Sequence, residues 1–218
     1  MIQTVIFDMD GVIVDTEPVH YFAYHEQFKQ LNIEVSDALY RSFTGNSTKN
    51  VFQKLKTLYQ LSQDVDDLIK VKRSLFNEAF DTKKDLQLIE GVEDLIKDLY
   101  ENKMQLILAS SASKVTIERV FKRFELDAYF SHKVSGEDFL YSKPNPAIFE
   151  YAAGLSYFSK ENCVVIEDSA NGIEAATKAG IFCIGYDSLN SIDQDLSGAN
   201  MIIKDFKELN AHLIKGLK

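Results

Sequence analysis

Thr4-Val5-Ile6-Phe7-Asp8-Met9-Asp10-Gly11-Val12 is the stretch whose reading decides the fold. Its first four residues read as a short strand next to the chain start, and the strand ends in two carboxylates two positions apart. Comparable apolar runs recur at Gln105-Leu106-Ile107-Leu108-Ala109, His132-Lys133-Val134, Cys163-Val164-Val165-Ile166, Phe182-Cys183-Ile184-Gly185 and Met201-Ile202-Ile203. Several are apolar on both faces, which suits strands of a parallel sheet covered on both sides. Helix-like stretches at 93–102, 114–124, 146–155 and 170–179 supply the crossovers, and Gly180 stands where the last would stop.

The expected fold is therefore α/β, a doubly wound, Rossmann-like parallel sheet. Residues 8–104 separate the first two strands, far more than one crossover helix needs. Apolar positions at helical spacing fall within 18–31, at Val51-Phe52-Leu55-Leu58 and within 68–80, so the excess reads as an inserted helical cap. The expected division is a core of 1–14 and 86–218 with a cap of 15–85. The short polar crossings at 14–17 and 81–87 read as hinges on which the cap would close and exclude water.

Composition narrows the classes. The 218 residues suit one sizeable domain or one carrying an insertion, and 45% hydrophobic with 26% charged residues is an ordinary globular balance. The 24 basic against 33 acidic residues give −9, with no basic run, which argues against nucleic acid or an anionic membrane as a partner. No stretch approaches the roughly 18 apolar residues of a membrane-spanning helix. Cys163 and Cys183, each in an apolar run, read as reduced core residues, and a cytoplasmic location is expected.

The chemistry-bearing residues gather at expected strand ends. Asp8 and Asp10 project from the carboxyl edge of the sheet, where open α/β folds place ligands, although Asp-x-Asp also occurs in solvated turns and at helix N-caps. Glu167-Asp168 follows another apolar strand, and four carboxylates at one edge call for a hard divalent cation such as Mg2+. Glu167-Asp168 alone equally suits the N-cap of a helix opening at Ala170. Ser110-Ser111 closes the second strand, where hydroxyls and backbone N–H groups suit a phosphate or merely cap a helix. Lys143 precedes Pro-x-Pro, which restricts its backbone and can aim its ammonium; an ordinary surface lysine is the other reading.

In this order the pieces resemble the haloacid dehalogenase superfamily along the whole chain. Asp8-Met9-Asp10-Gly11-Val12-Ile13-Val14-Asp15-Thr16-Glu17 looks like its first motif, Ala109-Ser110-Ser111 its second, Lys143-Pro144-Asn145-Pro146 its third and Val165-Ile166-Glu167-Asp168-Ser169 its fourth. The helical insertion resembles the subgroup of β-phosphoglucomutases and small sugar-phosphate phosphatases. The resemblance implies two-step phosphoryl transfer, with Asp8 as nucleophile and Asp10 as acid and base. It also implies Mg2+ held by the Asp8 side chain, the Asp10 carbonyl and Asp168, with Glu167 at one remove or through a water. The acid at Asp10 favours phosphoryl chemistry over dehalogenation.

β-Phosphoglucomutases resemble this chain further at Thr16 and His20, and their cap loop typically reads Gly-Val-Ser-Arg, the arginine gripping a distal phosphate. Here Gly45-Asn46-Ser47-Thr48-Lys49 stands instead, and threonine lacks a charged bidentate fork. The expectation is a Mg2+-dependent phosphatase of a small phosphorylated metabolite, a sugar phosphate, with a β-phosphoglucomutase as the alternative. A non-catalytic phospho-accepting or sugar-phosphate-binding protein is the reading from another class. Phosphate and substrate contacts are expected from Ser110, Ser111, Lys143, Thr16, His20, Gly45 and Thr48. His20 alone equally suits helix packing. Lys72 and Arg73 suit either a phosphate contact or a solvated helix face.

Overall fold

A computed structural model describes residues 1–43, 45–188, 191 and 194–217. Strand β1 (Thr4–Phe7) is buried along its length. Backbone contacts divide the chain into one unit of Met1–Asp15 with Leu88–Lys218 and another of Thr16–Gln87. The inserted unit holds α1 (Glu17–Leu31), α2 (Asp37–Arg41), α3 (Thr48–Tyr59) and α4 (Val65–Thr82). Pro18 falls in the first turn of α1, where its missing N–H has no helical partner to lose. Ser36, Ser47 and Asp64 cap the next three by accepting N–H bonds from Leu39, Asn50 and Asp66. Those caps carry α3 and α4 about a turn upstream of the apolar positions read from sequence. The short α2, with Tyr40 as its one buried residue, offered no periodicity to find. Tyr24, Phe28, Tyr40, Phe43, Phe52 and Leu55 are among the side chains that form this unit's own core.

In the other unit follow α5 (Val92–Glu101), β2 (Gln105–Ser110), α6 (Lys114–Arg123), β3 (His132–Ser135), α7 (Ala147–Gly154), β4 (Cys163–Glu167), α8 (Ala170–Lys178), β5 (Phe182–Tyr186), β6 (Met201–Ile203) and α9 (Ala211–Gly216). The strands form one six-stranded sheet in the order β3-β2-β1-β4-β5-β6, parallel throughout. Strands β2 and β4 are buried at every position, the signature of a sheet covered on both faces. The chain builds outward from β1 to β3, then returns to lay β4 on the other side of β1. That reversal puts the topological switch point between β1 and β4, where doubly wound folds open a crevice at the carboxyl ends.

Alternation along the strands sorts the two faces. Ile6, Ile107, Val165 and Cys183 join Phe149 and Ala152 of α7 and Ile173 and Ala176 of α8 in one cluster. Phe7, one residue on, points the other way and meets the Phe130 ring edge-on at 5.7 Å, which in turn meets Phe121 of α6 at 5.1 Å. Cys163 and Cys183 are free and buried, in keeping with their apolar neighbours. Among the described residues no helix is long and apolar enough to cross a membrane.

Phe149 is fully buried in the first of these clusters. Replacing it with alanine is expected to cost about 3–5 kcal/mol, read as a lowered urea midpoint, with Phe149→Leu losing less.

Candidate active site

The parallel register sets the site. Phe7 pairs with Ile166 of β4 and with Leu108 of β2, so the next residues, Asp8, Glu167 and Ala109, stand level at the carboxyl edge. Asp8 N–H continues the ladder onto Ile166 O at 3.0 Å. Lys143 enters from the segment between β3 and α7 and donates to Asp8 Oδ1 at 2.5 Å, Glu167 Oε1 at 2.8 Å and Ala109 O at 3.1 Å. Its Nζ also lies 4.6 Å from the centre of the Phe149 ring. At 3% exposure Lys143 is no surface lysine, and the peptide between it and Pro144 is cis.

Glu167 is engaged through both oxygens. Oε1 accepts from Lys143, while Oε2 accepts from Asp168 N–H at 2.8 Å, Ser169 N–H at 2.9 Å and Ser169 Oγ–H at 3.0 Å. The helix cap that was the alternative reading of Glu167-Asp168 belongs to Ser169, whose Oγ accepts from Gly172 N–H. A similar shift occurs after β2: Ser113 caps α6, whereas the buried Ser110 accepts from Ala112 N–H within its own turn at 3.0 Å. Ser111 follows it, half-buried.

Two glycines make room for this packing, and sequence reading assigned them no role. A Cβ at Gly172 would lie 1.7 Å from Glu167 Oε1, and one at Gly11 would lie 2.0 Å from Asp168 Oδ2. Gly11 also holds φ at +84°, a region where side chains are strained. Their signal in the sequence was only proximity, each lying within a few residues of an acidic motif.

Oxygens of Asp8, Glu167 and Asp168 lie within 4.8 Å of one another, all three residues buried. Burial pushes the Asp8 carboxyl up to about 7; Lys143 opposes that shift, while the charges of Glu167 and Asp10 add to it. Asp168 is raised well above the ordinary carboxylate range by burial and by the charges of Glu167 and Asp8; Lys143 opposes the shift and Asp10 adds to it. For Lys143, burial acts downward, but Asp8 and Glu167 outweigh it and hold the ammonium above its usual value. Three buried carboxylates thus share one ammonium, and the excess negative charge in hard oxygen donors fits a divalent cation of the Mg2+ type.

The remaining candidates lie in the inserted unit. Thr16 is fully buried, and its carbonyl accepts from Val19 and His20 N–H at the start of α1. His20 Nδ1 lies within hydrogen-bonding distance of Lys72 Nζ, at 2.6 Å. Lys72 is 2% exposed, with Nζ 4.7 Å from the Tyr24 ring centre and 4.9 Å from that of Phe76. The solvated-face reading of Lys72 is therefore corrected. Leu68, Lys72, Phe76 and Phe80 share one buried stripe at four-residue spacing, the signal that would have placed it. Tyr24, given no role from sequence, touches Lys72 and hydrogen-bonds Thr48. Thr48 opens α3, Lys49 is exposed, Arg73 is half-buried, and Gly45 holds φ at +74°.

Residues 5–186 match the haloacid dehalogenase-like hydrolases, and the chain belongs to that family. It is 29% identical over 217 residues to a phosphorylated carbohydrates phosphatase of Thermotoga maritima, covering 95% of this chain and 97% of the relative. It is 26% identical over 218 residues to the β-phosphoglucomutase of Bacillus subtilis, covering 97% and 93%. The crystal structure of CbbY from Rhodobacter sphaeroides in complex with phosphate superposes with a TM-score of 0.89 at 25% identity, covering all of both chains. The chain is thus an enzyme of the hydrolase class, with the doubly wound core and helical insertion read from its sequence.

The charge imbalance has a measurable sign. A carboxyl whose folded pKa is raised takes up protons on folding, so its contribution to stability falls as pH rises from its unfolded value, for Asp8 from 3.8 to about 7. In metal-free buffer, Asp168→Asn is expected to melt no lower than wild type, with a gap that widens as pH rises above about 4. Lys143→Met, which strands two buried carboxylates, is expected to cost about 3–5 kcal/mol in urea denaturation at neutral pH.

Proposed function

We propose that this enzyme is a Mg2+-dependent phosphatase of small phosphorylated metabolites of the sugar-phosphate class, acting through a phosphorylated Asp8. The observation that carries the reading is the buried Asp8, Glu167 and Asp168 cluster bridged by Lys143 at the β1–β4 switch point. A phosphatase of phosphorylated carbohydrates and a β-phosphoglucomutase among the relatives support the substrate class. Asp8, Asp10 and Asp168 would hold Mg2+, with Glu167 beside them. When bound, the ion supplies positive charge that keeps the carboxylates ionised and offsets the phosphate.

In this mechanism an Asp8 carboxylate oxygen attacks phosphorus. The new bond forms as the bond to the leaving oxygen breaks, and Asp10 gives that oxygen its proton. Water then attacks the phosphoryl group, Asp10 takes its proton, the bond to Asp8 breaks and phosphate departs. Lys143 offsets charge on the phosphoryl oxygens, and Ser110 and Ser111 bind them at the turn after β2. Thr16, His20, Gly45 and Thr48 supply the substrate contacts of the inserted unit. Turnover of a panel of sugar phosphates, phosphoglycolate, nucleotides and pyrophosphate is expected with Mg2+ and absent in EDTA. Asp8→Asn is expected to lose far more than tenfold in rate, that is, more than about 1.4 kcal/mol of transition-state stabilisation, and Asp10→Asn orders of magnitude, both with melting curves of a folded protein. Equal turnover in EDTA would overturn the reading.

Thr48 supports the phosphatase reading over a mutase. A mutase holds two phosphates in alternation, and a lost charged phosphate contact costs about 1.5–3 kcal/mol. Thr48 is also tied to Tyr24, a contact suited to packing rather than to gripping an anion. Interconversion of β-glucose 1-phosphate and glucose 6-phosphate is expected to have a lower kcat/KM than hydrolysis of the best monophosphate. A coupled assay with glucose 6-phosphate dehydrogenase, primed with β-glucose 1,6-bisphosphate, measures it, and Thr48→Arg is expected to raise it. Mutase turnover above every hydrolysis rate would reverse the assignment.

A further inference from the structure

Asp168 is in an electrostatically unfavourable place. It is buried beside Glu167 and Asp8, whose charges oppose its own, and only the missing Cβ of Gly11 leaves its Oδ2 room. A turn bearing such a side chain needs holding from elsewhere. The main-chain carbonyl of Asp168 accepts the hydroxyl of Ser191 at 3.0 Å. Ser191 is 3% exposed and Ser188 8%, and their Oγ atoms lie 2.8 Å apart. Gln194 Oε1 accepts from Ala170 N–H at 3.0 Å, on the far side of the same turn. Side chains from beyond β5 therefore grip the backbone of Asp168-Ser169-Ala170 at both ends, while Glu167 Oε2 binds the N–H groups of Asp168 and Ser169.

Ser191 has one proton to give. Asp168 O at 3.0 Å is a better acceptor for it than Tyr186 O at 3.3 Å, which leaves Ser188 to donate to Ser191 Oγ. The hydroxyl pair then forms a short chain ending on the residue whose carboxylate faces the acidic cluster.

We propose that Ser191, supported by Ser188 and Gln194, is a positioning residue that fixes where Asp168 presents its carboxylate to a divalent cation. The inference rests on the reading of Asp168 as a metal ligand. Outer contacts of this kind orient ligands, and their removal typically weakens metal binding ten- to a hundredfold. A buried hydroxyl with a purely structural task would instead lower stability on removal and leave metal affinity alone.

The test titrates Mn2+ into metal-free protein without substrate, reading free Mn2+ by electron paramagnetic resonance, with thermal denaturation in EDTA alongside. Wild type is expected to bind Mn2+ and Asp168→Asn to lose it; undiminished binding by Asp168→Asn would refute the metal-ligand reading itself. With that reading standing, Ser191→Ala is expected to bind Mn2+ roughly tenfold more weakly, and Ser191→Thr, which keeps the hydroxyl, to recover most of the loss. Gln194→Leu, which frees Ala170 N–H and leaves Ser191 in place, is expected to weaken binding in the same direction and serves should Ser191→Ala not fold. A lowered melting temperature with wild-type Mn2+ affinity in the folded variants would overturn the proposal.

Discussion

One ammonium ties three neighbouring strands together at their carboxyl ends. Lys143 donates to Asp8 after β1, to Ala109 of β2 and to Glu167 of β4, so its three protons meet three acceptors. Without it the buried carboxylates would stand uncompensated, and with it they still carry more negative charge than one cation can balance. The remainder of the site follows from that partial balance. Glu167 is drawn inward to Lys143 and away from solvent, and Asp8 and Asp168 are left in need of further positive charge. A fold optimised only for stability would replace such a cluster with apolar side chains; keeping it leaves a socket of hard oxygen donors that suits a divalent cation.

The backbone around the socket is shaped to admit these side chains. Gly172 lets Glu167 settle against the first turn of α8, and Gly11 does the same for Asp168. Ser169 and Ser113 cap the helix starts, so neither Glu167 nor Ser110 is spent on a cap. Glu167 still holds the backbone of its own turn through Oε2 and keeps Oε1 for Lys143.

Much of this was legible in the residues themselves. Strands such as 163–166 declare themselves because a sheet buried on both faces requires unbroken apolar runs, and the carboxylates at 8 and 167–168 follow such runs directly. Lys143 was readable only as an aimed side chain, since its acceptors come from strands far away in sequence. Gly11, Gly172, Ser191 and Gln194 were not readable, because their parts depend on distances between segments that no local pattern encodes. Lys72 stayed open between a phosphate contact and a solvated face for a different reason. Its charge suggested solvent, yet its spacing from Leu68 and Phe76 put it on the buried stripe of α4, where the Tyr24 and Phe76 faces and His20 accommodate the ammonium.

The proposed function rests on Asp8 taking the phosphoryl group on its own carboxylate. Acid quench of the enzyme within one turnover of a good substrate, followed by mass spectrometry of its peptides, tests this directly. The expected result is one phosphoryl group on the peptide carrying Asp8, at Asp8 itself, present during turnover and gone once substrate is spent. Full turnover with no phosphorylated Asp8 at any quench time, with water as the direct attacker, would contradict the account.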